Sequence, residues 1–263
     1  MKPVILIVDD QKDILEFLSN QLLVSYNVLT SLSGKDAMGI LDKEIVHLII
    51  SDIMMPHMDG LEFCQLIKSN FDTSHIPVIL LTAIKTLETK IEGLEFGADA
   101  YIEKPFSPKY LRAQISNLLT NRNRLKEFFV TSPSAHLKSI AYTKSDEQFL
   151  ENLNEVIQKN IKNQELYVQF LAKSMNMSRA TLFRKIKGVC NLTPNELVNV
   201  SRLKRAAELL NQGCYKMFEI ANMVGFTSQH HFARSFHKQF NMTPTEFQLK
   251  SKRLDQHNNE SAD

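Results

Sequence analysis

The 263 residues include only three cysteines, eight glycines and eight prolines, and each scarcity removes a class of protein. Cys64, Cys190 and Cys214 are odd in number and never spaced as CxxC, so neither a disulfide framework nor a zinc site is expected. No GxxxxGK[ST] stretch or other glycine-rich phosphate loop is present, which argues against a kinase-type ATP cradle. Long hydrophobic runs are missing too. Val4 to Val8 and Val78 to Leu81 fall far short of the roughly 20 residues a membrane helix needs. Met1-Lys2-Pro3 leads into an apolar run without a small-residue cleavage site, so a secretion signal is not expected and a reducing cytoplasm is.

What is present describes a folded chain. Hydrophobic residues make up 43% and charged residues 23%, as in ordinary globular proteins, and at about 150 residues per domain the length suggests two. The net charge of +2 hides an asymmetry. Residues 1–120 carry 10 Lys and Arg against 16 Asp and Glu, whereas residues 121–263 carry 21 against 13. Between Leu166 and Leu254 the tally is 14 basic against 4 acidic, a density suited to a polyanion such as nucleic acid.

The acidic half alternates short apolar runs with amphipathic ones. Strands are expected at Val4 to Val8, Asn27 to Thr30, Leu48 to Ser51, Val78 to Thr82 and Ala100 to Ile102. Helical spacing lies between and after them, at Ile14–Leu22, Ala37–Leu41, Phe63–Ile67, Leu87–Leu94 and Leu111–Leu118. Two helix starts are marked, by Asp59 with Glu62 three residues on and by Ser107 before Pro108. The pattern predicts a doubly wound, five-stranded parallel sheet, whose ligands bind beyond the carboxyl ends of its strands.

Those ends are polar. Asp9 and Asp10 follow the first strand, Asp52 the third, Thr82 closes the fourth, and Lys104-Pro105 follows the fifth. Three carboxylates on one edge repel by roughly 4 kcal/mol per pair at 4 Å and an effective dielectric of 20, so they call for a cation. Mg²⁺ held by oxygen ligands is the economical choice, and Lys104 and Thr82 then suit an anionic, phosphoryl-bearing ligand with one carboxylate as nucleophile. Singly, an Asp pair after a strand is commonly a helix cap; five polar groups on one edge carry the inference.

These residues resemble the receiver domain of two-component response regulators, through VDD at 8–10, SDIMMPHMDG at 51–60, LTA at 81–83 and GADAYIEKPF at 97–106. The resemblance implies a flavodoxin-like fold, Asp52 as phospho-acceptor, and Mg²⁺ held by Asp9, Asp10, Asp52 and the Met54 backbone carbonyl. It also implies Thr82 and Lys104 on the phosphoryl oxygens, Thr82 with Tyr101 as the switch, and a sensor histidine kinase as phosphodonor. Lys104-Pro105 is a candidate cis bond, and His57 reads as a loop residue rather than a phosphate carrier.

Residues 121–145 read as a polar, irregular linker, with Phe128, Phe129 and Val130 able to dock onto a domain. A helix is expected from about Asp146, with Phe149, Leu150, Leu153, Val156, Ile157 and Ile161 on one face. The chain then repeats itself. Leu171-Ala172 recurs as Ile220-Ala221 at an offset of 49, and Ser178, Leu182, Arg184 and Ile186 recur as Ser228, Phe232, Arg234 and Phe236 at an offset of 50. The one-residue change falls in a turn containing Asn176 or Gly225. Each repeat predicts a helix-turn-helix followed by Thr-Pro-x-Glu, a capped helix start, and Pro194 to Asn211 predicts one long connecting helix.

This half resembles the AraC/XylS-type DNA-binding domain, with IANMVGFTSQHHFARSFHKQFNMTPTEF at 220–247 as its recognisable motif. An all-α domain over 146–253 with two recognition helices in successive major-groove turns is implied, followed by a polar tail at 254–263. The expected readers are Arg179, Ala180, Phe183 and Arg184 in the first helix and Gln229, His230, Ala233 and Arg234 in the second; Lys185, Lys187 and Lys238 are expected on phosphates. Leu182, Ile186, Phe232 and Phe236 are expected in the core, and His231 and His237 imply no metal.

Joined, the halves predict a phosphorylation-controlled, sequence-specific regulator of transcription that binds duplex DNA. The expected readout is a phosphorylation-dependent homodimer formed through residues 87–96 and 107–118, and contact with RNA polymerase is compatible with it. The domain order also resembles the carboxyl-terminal portion of hybrid two-component sensors. Two alternatives stand beside this reading: a Mg²⁺-dependent aspartyl phosphohydrolase, which needs DxD where this chain has adjacent acids, and a phosphorelay receiver whose basic tail binds nucleic acid non-specifically.

Overall fold

The strands VILIV, LIISD and VILLT are nearly continuous apolar runs, as strands covered on both faces require. In the computed structural model, which describes residues 2–83 and 95–250, they occupy the centre of a five-stranded parallel sheet. The elements are β1 (Val4–Val8), α1 (Lys12–Leu22), β2 (Asn27–Ser31), α2 (Gly34–Leu41), β3 (Leu48–Asp52), α3 (Gly60–Ser69), β4 (Val78–Thr82), β5 (Ala100–Glu103) and α4 (Pro108–Thr131). Strand order is β2-β1-β3-β4-β5. Every expected strand is present to within one residue at its end. The helix expected around Leu87, Ile91 and Leu94 lies outside the described residues.

Strand alternation divides the core in two. Ile5, Ile7, Ile50, Ile79 and Leu81 pack against Leu15 and Leu18 of α1 and Leu111 and Ile115 of α4. Leu6, Val8, Ile49, Val78 and Leu80 pack against Ala37 of α2 and Phe63 and Ile67 of α3. At the amino-terminal edge, Asp99 accepts from Lys68 Nζ at 2.6 Å, Arg122 Nη2 at 2.8 Å and the Val78 amide at 2.9 Å, tying α3 and α4 to the sheet.

The chain separates into two units, 1–124 and 125–263. The second contains the last turns of α4, a 3-10 turn at Leu137–Ile140, α5 (Lys144–Lys159), α6 (Val168–Ser174), α7 (Arg179–Cys190), α8 (Pro194–Gln212), α9 (Met217–Met223) and α10 (Gln229–Phe240). The expectation of an irregular linker over 121–145 is corrected by this order. α4 continues to Thr131, and Phe129, Leu137 and Ile140 are buried in one cluster with Phe149 and Leu153 of α5. Few apolar residues sit in that stretch, but they meet a core, and the helix persists where its face is covered.

Within the second unit, residues 126–135 are bonded to three other helices. Lys126 Nζ donates to the Gly188 carbonyl of α7 at 2.9 Å, Gln239 Nε2 of α10 to the Val130 carbonyl at 2.7 Å, and Lys204 Nζ of α8 to the Ser132 and Ala135 carbonyls.

The duplication is visible in the backbone. Met177 N donates to Ala172 O and Phe226 N to Ala221 O, each at 2.9 Å, closing equivalent turns. Ser178 and Ser228 cap α7 and α10, and both helices end on a left-handed asparagine, Asn191 or Asn241. The turns turn through Asn176 at φ 53° and Gly225 at φ 82°. A Cβ on Gly225 would stand 2.6 Å from the Ile161 carbonyl oxygen, so glycine is required there by contact as well as by φ. α8 serves both helix-turn-helix repeats: Leu197, Val198 and Val200 belong to the core of the first, and Leu203, Ala206, Ala207, Leu209 and Leu210 to that of the second. No helix among the described residues is long and apolar enough to cross a membrane.

Candidate functional site

The carboxyl edge of the sheet brings together the residues the sequence singles out there. Parallel pairing sets β1 beside β3 and β3 beside β4, so Asp9, Asp52 and Thr82 emerge on neighbouring strands. Gly60 opens α3 against the end of β3. Its amide donates to Ile53 O at 2.8 Å, and a Cβ there would lie 2.1 Å from the Asp52 carbonyl oxygen, so the loop closes this tightly only on glycine. Asp59 caps α3 by accepting from the Glu62 amide at 2.7 Å. The Lys104-Pro105 bond is cis, as expected.

Carboxylate oxygens of Asp9, Asp10 and Asp52 all lie within 4.8 Å of one another. Asp9 and Asp52 are buried, and Lys104 Nζ reaches both, at 3.2 Å from Asp9 Oδ2 and 2.8 Å from Asp52 Oδ1. Burial pushes the Asp9 carboxyl above its ordinary range, against the Gln11 amide that donates to it and the charge of Lys104. Burial pulls the Lys104 ammonium down, but its hydrogen bond to Asp52 and the charges of Asp52 and Asp9 outweigh this and leave it raised. Three carboxylates against one ammonium leave two negative charges. Asp10 Oδ1 is buried with no hydrogen-bond partner among the described residues. An orphaned oxygen and a surplus of two negative charges fit a divalent, oxygen-seeking cation.

The other expected members are placed as follows. Thr82 is fully buried at the end of β4. Tyr101, on β5, is partly buried and packs against the cluster containing Val78 and Leu80. Met54, two residues after Asp52, has a largely exposed side chain, and His57 is an exposed loop residue at φ 69°.

In the helical unit, Arg179, Ala180 and Phe183 are exposed on α7 and Arg184 partly so, while Gln229, His230 and Arg234 are exposed on α10 and Ala233 partly so. Leu182, Ile186, Phe232 and Phe236 are fully buried beneath them. Arg234 Nη2 and His230 Nε2 lie 3.0 Å apart, one turn apart on the same face. His231 packs edge-on against Phe226. Lys238 is exposed, and Lys187 Nζ donates to the Asn191 carbonyl at 3.0 Å, closing the C-terminus of α7.

Lys185 corrects an expectation. It does not face a phosphate: its side chain is fully buried, 2.5 Å from Asp146 Oδ1 of α5, with the Phe149 ring 5.8 Å away. Residues 182, 185, 186 and 189 form an i, i+3, i+4, i+7 stripe that points inward, and Lys185 occupies it. Arg202 and Lys204 are likewise committed inward, Arg202 donating to the Ile161 and Asn163 carbonyls at 3.2 and 2.6 Å. Burial lowers the pKa of Arg202 from its ordinary value and that of Lys204 to about 8. Arg202, Lys204 and the Asp99 cluster of residues 1–124 are not singled out by the sequence, and Lys185 is singled out for the wrong role. The stripe around Lys185 carries the signal of its true place, whereas Arg202, Lys204 and Asp99 depend on contacts between distant segments.

Comparison with known proteins follows the same division. Residues 5–116 match the family described as response regulator receiver domain, and residues 171–250 a helix-turn-helix domain. A protein named Histidine kinase P4, from Formosa agariphila, is 42% identical over 247 residues, covering 94% of this chain; the chain spans 18% of that protein's length. Proteins named Probable transcriptional regulator ycf27 are 32% identical in Porphyridium aerugineum, over 71% of this chain and 78% of that one, and 33% identical in Galdieria sulphuraria, over 79% and 83%. The acidic edge falls inside the first matched region and both recognition helices inside the second, and the chain belongs to the response regulators, with a receiver domain followed by an AraC-type helix-turn-helix domain.

Proposed function

We propose that Asp52 accepts a phosphoryl group from a histidine-kinase partner and that the modification controls sequence-specific binding of duplex DNA by α7 and α10. The observation that carries this reading is the convergence of Asp9, Asp10, Asp52 and Lys104 on one sheet edge of a chain that also holds two exposed recognition helices. Asp9, Asp10, Asp52 and the Met54 carbonyl would hold Mg²⁺, which when bound offsets the charge of the incoming phosphoryl group.

The chain's own residues do the rest. An Asp52 oxygen is the nucleophile, and Lys104 Nζ, 2.8 Å from Asp52 Oδ1, is positioned to pair with an oxygen of the group Asp52 acquires. The Thr82 hydroxyl is the second donor to it. Phosphorylation adds about 1.5 to 2 negative charges, and it biases the Thr82 and Tyr101 arrangement only through a difference in how the two states contact them. Arg184 and Arg234 read bases bidentately, flanked by Arg179, Phe183, Gln229 and His230, while Lys187 and Lys238 meet phosphates. The chain acts as a regulator that turns over its own phosphoryl group, in the cytoplasm with its DNA. Homodimerisation is the proposed readout, and promoter-bound protein would meet RNA polymerase; residues 87–94 of the expected dimer face lie outside the described residues.

The test is chemical labelling. Acetyl phosphate with Mg²⁺ should phosphorylate the chain once, on Asp52, and neither Asp52→Asn nor metal-free protein should label. Equal labelling of Asp52→Asn would move the acceptor elsewhere.

A further inference from the structure

A cavity of about 370 Å³ opens in the helical unit where α5, α8 and residues 129–137 meet. Lys204 of α8 lines it. Its Nζ donates to the Ser132 and Ala135 carbonyls and lies 4.4 Å from the centroid of the Phe129 ring. Carbonyls satisfy the protons of an ammonium but not its charge, and a buried charge calls for an opposite one. Among the described residues no carboxylate is paired with Lys204. Glu208, one turn further along α8, is tied to Arg205 at 2.6 Å. Burial accordingly pushes Lys204 down to about 8, which still leaves it charged at neutral pH.

The remaining lining matches an anion. Lys204 and Arg205 stand against the single carboxylate of Glu208, which pairs with Arg205 and acts on Lys204 only through space, so the lining keeps a net positive charge, with His136 as its one further titratable neighbour. Asn154 and Gln158 of α5 supply neutral donors and acceptors along the opposite side. A volume in this range suits a small metabolite.

We propose that this cavity binds a small organic oxyanion, a carboxylate- or phosphate-bearing metabolite whose charged group pairs with Lys204 and Arg205 and whose polar body contacts Asn154 and Gln158. Such a ligand would bridge α8, the helix shared by both helix-turn-helix cores, to residues 129–137. It is a second input to the helical unit, independent of any phosphoryl group on Asp52.

Isothermal titration of the full chain at neutral pH and constant ionic strength tests this, with citrate as the carboxylate probe, glucose 6-phosphate as the phosphate probe and glucose as the neutral control. At least one anion should bind saturably at one site per chain and glucose should not. Arg205→Gln, on the cavity's exposed side, and Lys204→Gln should each weaken binding by about tenfold or more, the loss of one charge-assisted hydrogen bond. The side-chain amide resonances of Asn154 and Gln158 should shift with the same ligand in the unmodified protein, a readout that does not depend on Lys204→Gln folding. No saturable binding of either anion, or binding that leaves those resonances and the Arg205→Gln affinity unchanged, would overturn the assignment. Phosphate entering the Asp52 site instead would give that second pattern.

Discussion

Replacing Lys185 by Met separates an interior role from a phosphate contact, because the two roles predict opposite outcomes. The Lys185 and Asp146 side chains are both fully buried with 2.5 Å between charged atoms. At an effective dielectric of 20 that spacing gives an attraction of roughly 6 to 7 kcal/mol, which is offset by a desolvation cost of several kcal/mol for each ion. The pair is thus near balance, whereas Lys185→Met alone leaves Asp146 as a buried charge without its ammonium and should cost about 3 to 5 kcal/mol. Against a total of about 5 to 15 kcal/mol, that lowers Tm of the helical unit by roughly 10 to 20 °C. Lys185→Met with Asp146→Leu should recover most of the loss. Differential scanning calorimetry reads the stability, and a salt titration of DNA binding reads the contacts. The double variant should keep the slope of log affinity against log salt, since a lost phosphate contact would reduce it by about 0.9. A stable single variant with a reduced slope would refute the argument and return Lys185 to the DNA surface.

Three further outcomes are expected. Arg184→Ala and Arg234→Ala should each cost about 1 to 3 kcal/mol on a selected site and relax base preference at positions about 10 base pairs apart, whereas Lys187→Ala or Lys238→Ala should weaken all sequences alike; site selection on the four variants distinguishes them. Lys204, held at about 8 against 10.5 in the free side chain, takes up a proton on unfolding between those values, so stability of the helical unit should rise with pH across that window. Urea unfolding at about pH 7.5 and about pH 9.5 should show the rise, and Lys204→Met should flatten it; an equal rise in the variant would assign it to another group. Gly225→Ala, at φ 82° and with its Cβ 2.6 Å from the Ile161 carbonyl oxygen, should destabilise the second helix-turn-helix by roughly 1 to 3 kcal/mol, measured by thermal unfolding.

Where the sequence was legible, local periodicity carried the information. Buried parallel strands reveal themselves as apolar runs, and the polar residues that end them fall on one edge by the logic of parallel pairing, so the sequence alone groups Asp9, Asp10, Asp52, Thr82 and Lys104. The duplication was equally visible, because a repeat in sequence repeats its caps, as Ser178 and Ser228 do. The stretch 121–145 reads as a linker because its average polarity outweighs Phe129, legible as a docking residue, and conceals Leu137 and Ile140, whose burial depends on helices that lie later in the chain. Lys185 was misassigned for a related reason: basic residues on a recognition helix suggest DNA, but position on the helical stripe outweighs residue type when a partner such as Asp146 waits in the core. The equivalent position in the second repeat is Ser235, so the pair is private to the first repeat. Lys204 and Arg202 bond carbonyls that are far away in sequence, and nothing local to them marks those partners.

Control of DNA binding by one carboxylate is tested most directly by measuring affinity for a selected operator with and without acetyl phosphate and Mg²⁺, in the unmodified chain and in Asp52→Asn. Phosphodonor and metal together should change the affinity of the unmodified chain and leave that of Asp52→Asn unaltered, while both bind the operator more tightly than random DNA. An equal response in the two proteins, or none in the unmodified chain once labelling of Asp52 is complete, would contradict it.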